Sequence, residues 1–285
     1  MTLPIPAPDC TALITGASAG IGVELARALA RRGHGVTLVA RREDRLRTLA
    51  EELTSSTGVR AEVIVADVSD DAARSAIATT LRERGLQVQV LVNNAGVSTM
   101  GPVHLSEPQS EIAMIRLDVE AVAHLCSLFV PGMVARGTGA VLNVASVAAF
   151  QPLPGQAGYG GCKAFVLSYS QAMAEELRHH GVSVTAVCPG PVETEFAVAS
   201  GMGEAEAAAA AEALPSFMWV SATEVALQAL AALDKGRDVL IPGRPNHLAV
   251  VAARAVPRRV LLRLVARRHP ALKDWLDKEV ADGDD

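Results

Sequence analysis

Tyr159 and Lys163 stand four residues apart at the head of a segment of helical period, so a phenol and an ammonium share one helix face, one turn apart. A free tyrosine ionises near pH ~10, and a neighbouring ammonium favours its phenolate. At about 4 Å and an effective dielectric near 20 that attraction is roughly 4 kcal/mol before reorganisation. A phenol tuned in this way can give or take a proton. With 2 Tyr in the chain, chance would produce such a spacing with lysine only about 3% of the time. Ser146 follows an apolar run but has no nucleophile elbow and no matching histidine, so an acyl-transfer triad is unsupported.

The second feature is Thr15-Gly16-Ala17-Ser18-Ala19-Gly20-Ile21-Gly22, placed after a strand and opening a helix. Glycines there let the backbone approach a ligand, and the free N–H groups of the helix start favour a pyrophosphate. The G-x3-G-x-G spacing differs from G-x-G-x-x-G, and a tight turn without a ligand is the plainer reading of this stretch alone. Arg41 and Arg42 follow the second strand, where a carboxylate would pair with a ribose 2′-hydroxyl and an arginine accommodates a 2′-phosphate. The alternative is a solvated helix start, since Glu43 and Asp44 come next.

The elements that must position these groups alternate. Strands are expected at Cys10 to Thr15, Val36 to Ala40, Val59 to Val65, Val88 to Asn93, Ala140 to Ala145, Val182 to Cys188 and Val239 to Ile241. Helices are expected at Ile21 to Arg32, Arg42 to Ser55, Asp70 to Arg84 and Ala157 to His180, with Gly33, Gly85 and Gly181 as stops. Right-handed crossovers make this an α/β fold: a Rossmann-type, doubly wound, seven-stranded parallel sheet with helices on both faces. Residues 1–245 form one such domain with a substrate lid near 193–219, and residues 246–285 a C-terminal helical extension.

Composition narrows the function classes. The chain has 285 residues, half of them hydrophobic, and a net charge of -5, which offers no basic field for nucleic acid. Cys10, Cys126, Cys162 and Cys188 form no C-x-x-C pair, which suits free thiols in a reducing, cytoplasmic setting. His104, His124, His179 and His180 lack metal-ligand spacing, so no metal site is expected. No targeting segment is expected at the start, and no stretch of 18 apolar residues for a membrane span.

Taken together, the turn from Thr15 to Gly22, Asn93-Asn94-Ala95-Gly96, Ser146, Tyr159-x-x-x-Lys163 and Pro189-Gly190 resemble the short-chain dehydrogenase/reductase family over about residues 10 to 242. The resemblance implies an NADP(H)-dependent enzyme moving a hydride between nicotinamide and a carbonyl or alcohol substrate. Tyr159 would be the general acid/base, Lys163 would lower its pKa and hold the nicotinamide ribose, and Ser146 would bond the substrate oxygen. Gly16, Ser18, Ala19, Gly20, Ile21 and Gly22 would cradle the cofactor phosphates, Arg41 and Arg42 the 2′-phosphate, and Asp67 and Val68 the adenine. Asn93, Ala95 and Gly96, with Pro189 and Gly190, would line the cofactor, and Val192 and Thr194 would hold the carboxamide.

One position departs from the family: Asp118 stands where an asparagine usually helps hold a water linking the lysine to solvent. Either the carboxylate joins the proton relay with a different pH dependence, or it serves only as a cap or ion-pair partner. A non-catalytic dinucleotide-binding redox sensor is the alternative function, and Asp118 is its one supporting feature. Phe150, Leu153, Phe196, Phe217, Met218 and Trp219 border the expected pocket and suggest an apolar substrate; the alternative is that in a chain half hydrophobic they are simply core. The family also implies a homodimer or homotetramer, its helices around Asp118 and Tyr159 pairing across a twofold axis. In Arg258 to Arg268, Leu261, Leu264 and Val265 share one face and Arg259, Arg263 and Arg267 the other. Such a helix either packs its aliphatic face on protein or rests on an anionic lipid surface.

Overall fold

The computed structural model describes residues 3–200, 203, 215–268 and 272. Its seven strands are β1 (Cys10–Thr15), β2 (Val36–Ala40), β3 (Ala61–Val65), β4 (Gln87–Asn93), β5 (Gly139–Val144), β6 (Val182–Val187) and β7 (Val239–Leu240). All pair in parallel in the order β3-β2-β1-β4-β5-β6-β7. Inner strands such as β1 and β6 are buried on both sides, their few threonines and serines included, because helices cover both faces.

One face carries α1 (Gly20–Arg31) and α2 (Glu43–Thr57), with Leu25, Leu29, Leu46 and Leu53 fully or almost fully buried. The other carries α3 (Asp71–Glu83), whose Ile77 and Leu81 pack into a second core. That core is completed by a continuous helix, α4 (Pro108–Ile115), a π-helical turn (Arg116–Glu120) and α5 (Ala121–Arg136), and by α6 (Ala157–Leu177). Gly33, Gly85 and Gly181 all take positive φ where the preceding helices stop, as the sequence indicates.

The continuous helix corrects one expectation. Residues 108–136 are long and apolar enough to cross a membrane, with a mean hydropathy of 1.4 in their most apolar stretch. The helix instead lies on the sheet, where Met114, Val122, Leu125, Cys126 and Met133 are buried.

After β6 come α7 (Phe196–Ala199), a 3-10 turn (Ser216–Met218), α8 (Ala222–Asp234), α9 (Arg244–Ala255) and α10 (Arg258–Arg268). The expected lid falls partly on 201–202 and 204–214, outside the described residues. The expected boundary at 245 lies inside α9, whose Asn246 is buried and donates through Nδ2 to the Met218 and Pro242 carbonyls at 2.9 and 3.2 Å. The first helix of the extension is therefore part of the body. In α10, Leu261 and Val265 are half-buried, while Leu264, expected on the same face, is exposed beside Val260.

Candidate active site

Sheet order reverses between β1 and β4, and in open α/β sheets ligands bind at the carboxyl ends of strands flanking such a reversal. Bonds between the two strand ends fix the crevice. Thr15 Oγ1 accepts the N–H of Asn94 and of Ala95 at 3.0 and 3.1 Å, and Asn94 Nδ2 returns to the Thr15 carbonyl at 2.9 Å. Asn94 thus braces the Gly-rich turn, a role the sequence signalled only through the doubled asparagine. Asn93 goes elsewhere: its side chain is buried and donates to Asn143 Oδ1 at 2.8 Å, so it is spent inside the fold.

The Gly-rich turn leads into α1 without a side-chain cap at Ala19, whereas Asp70 and Ser221 cap α3 and α8. The first N–H groups of α1 are left for another partner. Gly20 has φ +54°, and a Cβ there would lie 2.9 Å from Thr194 Cγ2. The loop after β6 thereby rests directly on the turn.

Tyr159 and Lys163 occupy the first two turns of α6, Ser146 follows β5, and Asp118 lies in the π-turn. A π-turn inserts one extra residue into a helix and is frequent at functional sites. Asp118 is fully buried, with Oδ2 2.9 Å from Lys163 Nζ and Oδ1 accepting the Val97 N–H at 2.9 Å. Lys163, also buried, donates to the Val144 carbonyl at 3.1 Å. A Cβ on Gly96 would sit 3.1 Å from Asp118 Oδ2 and 3.2 Å from Lys163 Nζ, so a side chain there would press on the pair. Ser146 Oγ accepts the Ala148 N–H at 3.1 Å and is near enough to Tyr159 to lower the phenol's pKa, and the adjacent Val147 N–H joins this segment to the Pro189 carbonyl at 2.9 Å.

The electrostatics differ from what Lys163 alone would give. Burial opposes the charge on Lys163, but Asp118, then Tyr159, outweigh it, and the lysine pKa lies above its ordinary value. For Tyr159 burial is the largest influence and pushes the phenol up. Lys163 and Ser146 pull it down, while Asp118 adds to the rise. The net direction is upward because burial outweighs the pull of Lys163 and Ser146, with Asp118 a smaller contribution in the same sense as burial. Burial also pushes Cys126 and Cys188 up to about 12 and Cys162 up to about 11, which leaves these thiols protonated at neutral pH.

At the far end of the crevice, Arg42 Nε and Nη2 donate to Ser18 Oγ at 3.1 and 3.0 Å, and Nη1 donates to Glu195 Oε2 at 2.9 Å. Arg45 Nη1 reaches both Glu195 oxygens at 2.8 Å. Arg41 turns away, highly exposed and 3.7 Å from Asp67 Oδ2. Asp67 accepts Ser69 N–H and Oγ at 2.9 and 2.7 Å; burial opposes its ionisation, but the Ser69 bonds and Arg41 prevail and hold the carboxyl below its usual range. Val68 is buried beside it. Arg45 was legible in principle, one helical turn beyond Arg42; nothing local marked Glu195.

The remaining expected positions lie along the same strand ends. Val192 bridges to Val220, and Gly190 backs onto Asn246, whose side-chain atoms would lie 2.6 Å from a Cβ at that glycine. Phe196 packs on Tyr159 with ring centroids 5.9 Å apart. A groove of about 570 Å³ between α8, β7 and α9 contains none of these residues.

The model of the short chain dehydrogenase family matches residues 10–213. The chain belongs to this family. A family member from Sphingobium yanoikuyae, solved in complex with NADPH, is 35% identical with a TM-score of 0.75, the likeness covering 86% of this chain and 93% of that one. The bulky-bulky ketone specific alcohol dehydrogenase from Comamonas testosteroni is 32% identical with a TM-score of 0.71, over 86% of this chain and 92% of that one. The very-long-chain 3-oxoacyl-CoA reductase of Pyrenophora tritici-repentis is 39% identical over 180 residues, 62% of this chain and 53% of that protein. The chain therefore spans little more than half the length of that curated relative. The chain is thus a member of the short chain dehydrogenase family whose structural neighbours include one solved with NADPH.

Proposed function

We propose that the protein is an NADP(H)-dependent oxidoreductase that interconverts a carbonyl and a secondary alcohol on an apolar substrate, with Tyr159 as general acid and base. The observation that carries this reading is the buried Asp118–Lys163 ion pair held one helical turn from Tyr159, with Lys163 and Ser146 both acting to lower the pKa of the phenol.

The residues present suit a dinucleotide carrying a 2′-phosphate. The uncapped start of α1 behind Gly20 suits a pyrophosphate, and the Ser18 hydroxyl with the Arg42 guanidinium suits a phosphate monoester. When bound, the nicotinamide supplies or accepts the hydride. Tyr159 gives its proton to the substrate oxygen in reduction and takes it back in oxidation. Ser146 donates a hydrogen bond to the same oxygen. Lys163, held by Asp118 and the Val144 carbonyl, stabilises the phenolate left behind. A phenol raised by burial stays protonated at neutral pH, the form that gives a proton to the substrate oxygen in reduction.

Support for NADP(H) comes from Arg42 on Ser18 and from neighbours solved with NADPH or NADP. Support for an apolar substrate comes from Phe196 against Tyr159, Leu153 close to Gly160, and relatives named for bulky ketones and a 7beta-hydroxysteroid. The test is NADPH consumption by the purified protein with a panel of bulky ketones, steroid ketones and small polar aldehydes. Turnover of an apolar ketone with NADPH is expected. Tight NADPH binding without consumption on any member would overturn the enzymatic reading in favour of a sensor.

A further inference from the structure

We infer that Glu195 is an internal competitor for the cofactor's 2′-phosphate and so sets cofactor selectivity, an inference that rests on the NADP(H) reading. The carboxylate sits where two guanidinium groups and a hydroxyl converge. Arg42 bonds Glu195 with one nitrogen and Ser18 with two others, and Arg45 reaches both Glu195 oxygens. Arg42 and Arg45 hold the Glu195 carboxyl below the usual glutamate range, so it is an anion at neutral pH. A phosphate monoester is recognised by the same donor set, and with a charge near -2 it repels a carboxylate sharing those donors. Glu195 and a 2′-phosphate therefore exclude each other from Arg42 and Arg45.

The competition reaches beyond one ion pair because Glu195 belongs to a strap across the crevice. Its neighbour Thr194 rests on Gly20, Phe196 packs on Tyr159 at 5.9 Å, and Ser200 Oγ accepts the Ser98 N–H at 2.9 Å. The strap thus runs from the arginine pair past the phosphate turn to the catalytic tyrosine. A 2′-phosphate that takes Arg42 and Arg45 frees one anchor of this strap, whereas a 2′-hydroxyl leaves Glu195 in place.

The test compares dissociation constants for NADPH and NADH in the wild type, Glu195→Gln, and Glu193→Gln as a neighbouring exposed carboxylate, by fluorescence titration. Exposed ion pairs each contribute up to about fivefold in an equilibrium constant, so losing two is expected to tighten NADPH by roughly three- to tenfold. NADH affinity is expected to stay within about twofold, and Glu193→Gln to match the wild type. Hydrogen exchange of residues 193–200 in the wild type is the second readout: it is expected to rise with 2′,5′-ADP and not with 5′-AMP. Weaker NADPH binding in Glu195→Gln, an equal change for both cofactors, or exchange unmoved by 2′,5′-ADP overturns the competition. A wild type that prefers NADPH combined with any of these sinks the competition alone; a wild type that binds NADPH and NADH equally sinks the NADP(H) reading and the competition with it.

Discussion

Replacing Asp118 by asparagine keeps the shape of the side chain and removes one charge from a fully buried pair. At 2.9 Å and an effective dielectric near 20, the Asp118–Lys163 attraction is about 6 kcal/mol. The desolvation that the carboxylate no longer bears offsets about half of it, leaving a destabilisation of about 3 kcal/mol. For a domain of this size that lowers Tm by roughly 6 to 12 °C at neutral pH. The sign with pH follows from Lys163, whose pKa is raised in the fold: the pair's contribution is present below the ordinary lysine value of about 10.5 and is lost as pH rises through the raised one. The Tm difference between the two proteins is therefore expected to shrink at strongly alkaline pH. Catalysis moves as well. Asp118 raises the Tyr159 pKa, so Asp118→Asn exposes the phenol to an unopposed ammonium, and the limb on which oxidation rises shifts to lower pH. Calorimetric melts across pH, with rate profiles in both directions, read the two effects. Overlapping rate profiles together with a Tm change under about 2 °C would refute this reasoning.

Arg42→Ala is expected to weaken NADPH binding by tenfold or more and leave NADH nearly unchanged, while Arg41→Ala, which removes a highly exposed side chain away from Ser18, changes the NADPH Kd by less than about threefold. Paired titrations check both. Gly20→Ala places a Cβ at positive φ and against Thr194, so it is expected to cost more than about 1 kcal/mol of stability and to weaken both cofactors alike; denaturant melts and the same titrations decide it. The half-buried Leu128, Phe129 and Val130 of α5 suit burial against a second copy of the chain, and light scattering at micromolar concentration is expected to give a dimer or tetramer mass rather than a monomer.

The sheet was legible because parallel strands covered on both faces must be short apolar runs, and each of the seven expected strands lies within two residues of its position. The glycine stops were legible because positive φ is cheap only for glycine. The juxtaposition of Tyr159 and Lys163 followed from helical spacing alone. The direction of the tyrosine's pKa did not, because it is set chiefly by burial of the phenol, which only the fold creates, and Asp118 adds to the rise from another helix through a π-turn that no residue type announces. Arg41 and Arg42 were indistinguishable as neighbours in sequence, and only the backbone between β2 and α2 sends Arg42 to Ser18 and Arg41 outward. Glu195 meets Arg42 across 153 positions of sequence, a contact that no local pattern encodes.

Tyr159→Phe tests the central claim most directly, since it removes one hydroxyl and leaves the ring against Phe196 and Lys163. With an apolar ketone turned over by the wild type, the variant is expected to bind NADPH with unchanged affinity and to lose at least about a hundredfold in kcat, the usual contribution of a general acid. A Tyr159→Phe protein that keeps more than about a tenth of the wild-type rate would contradict the account.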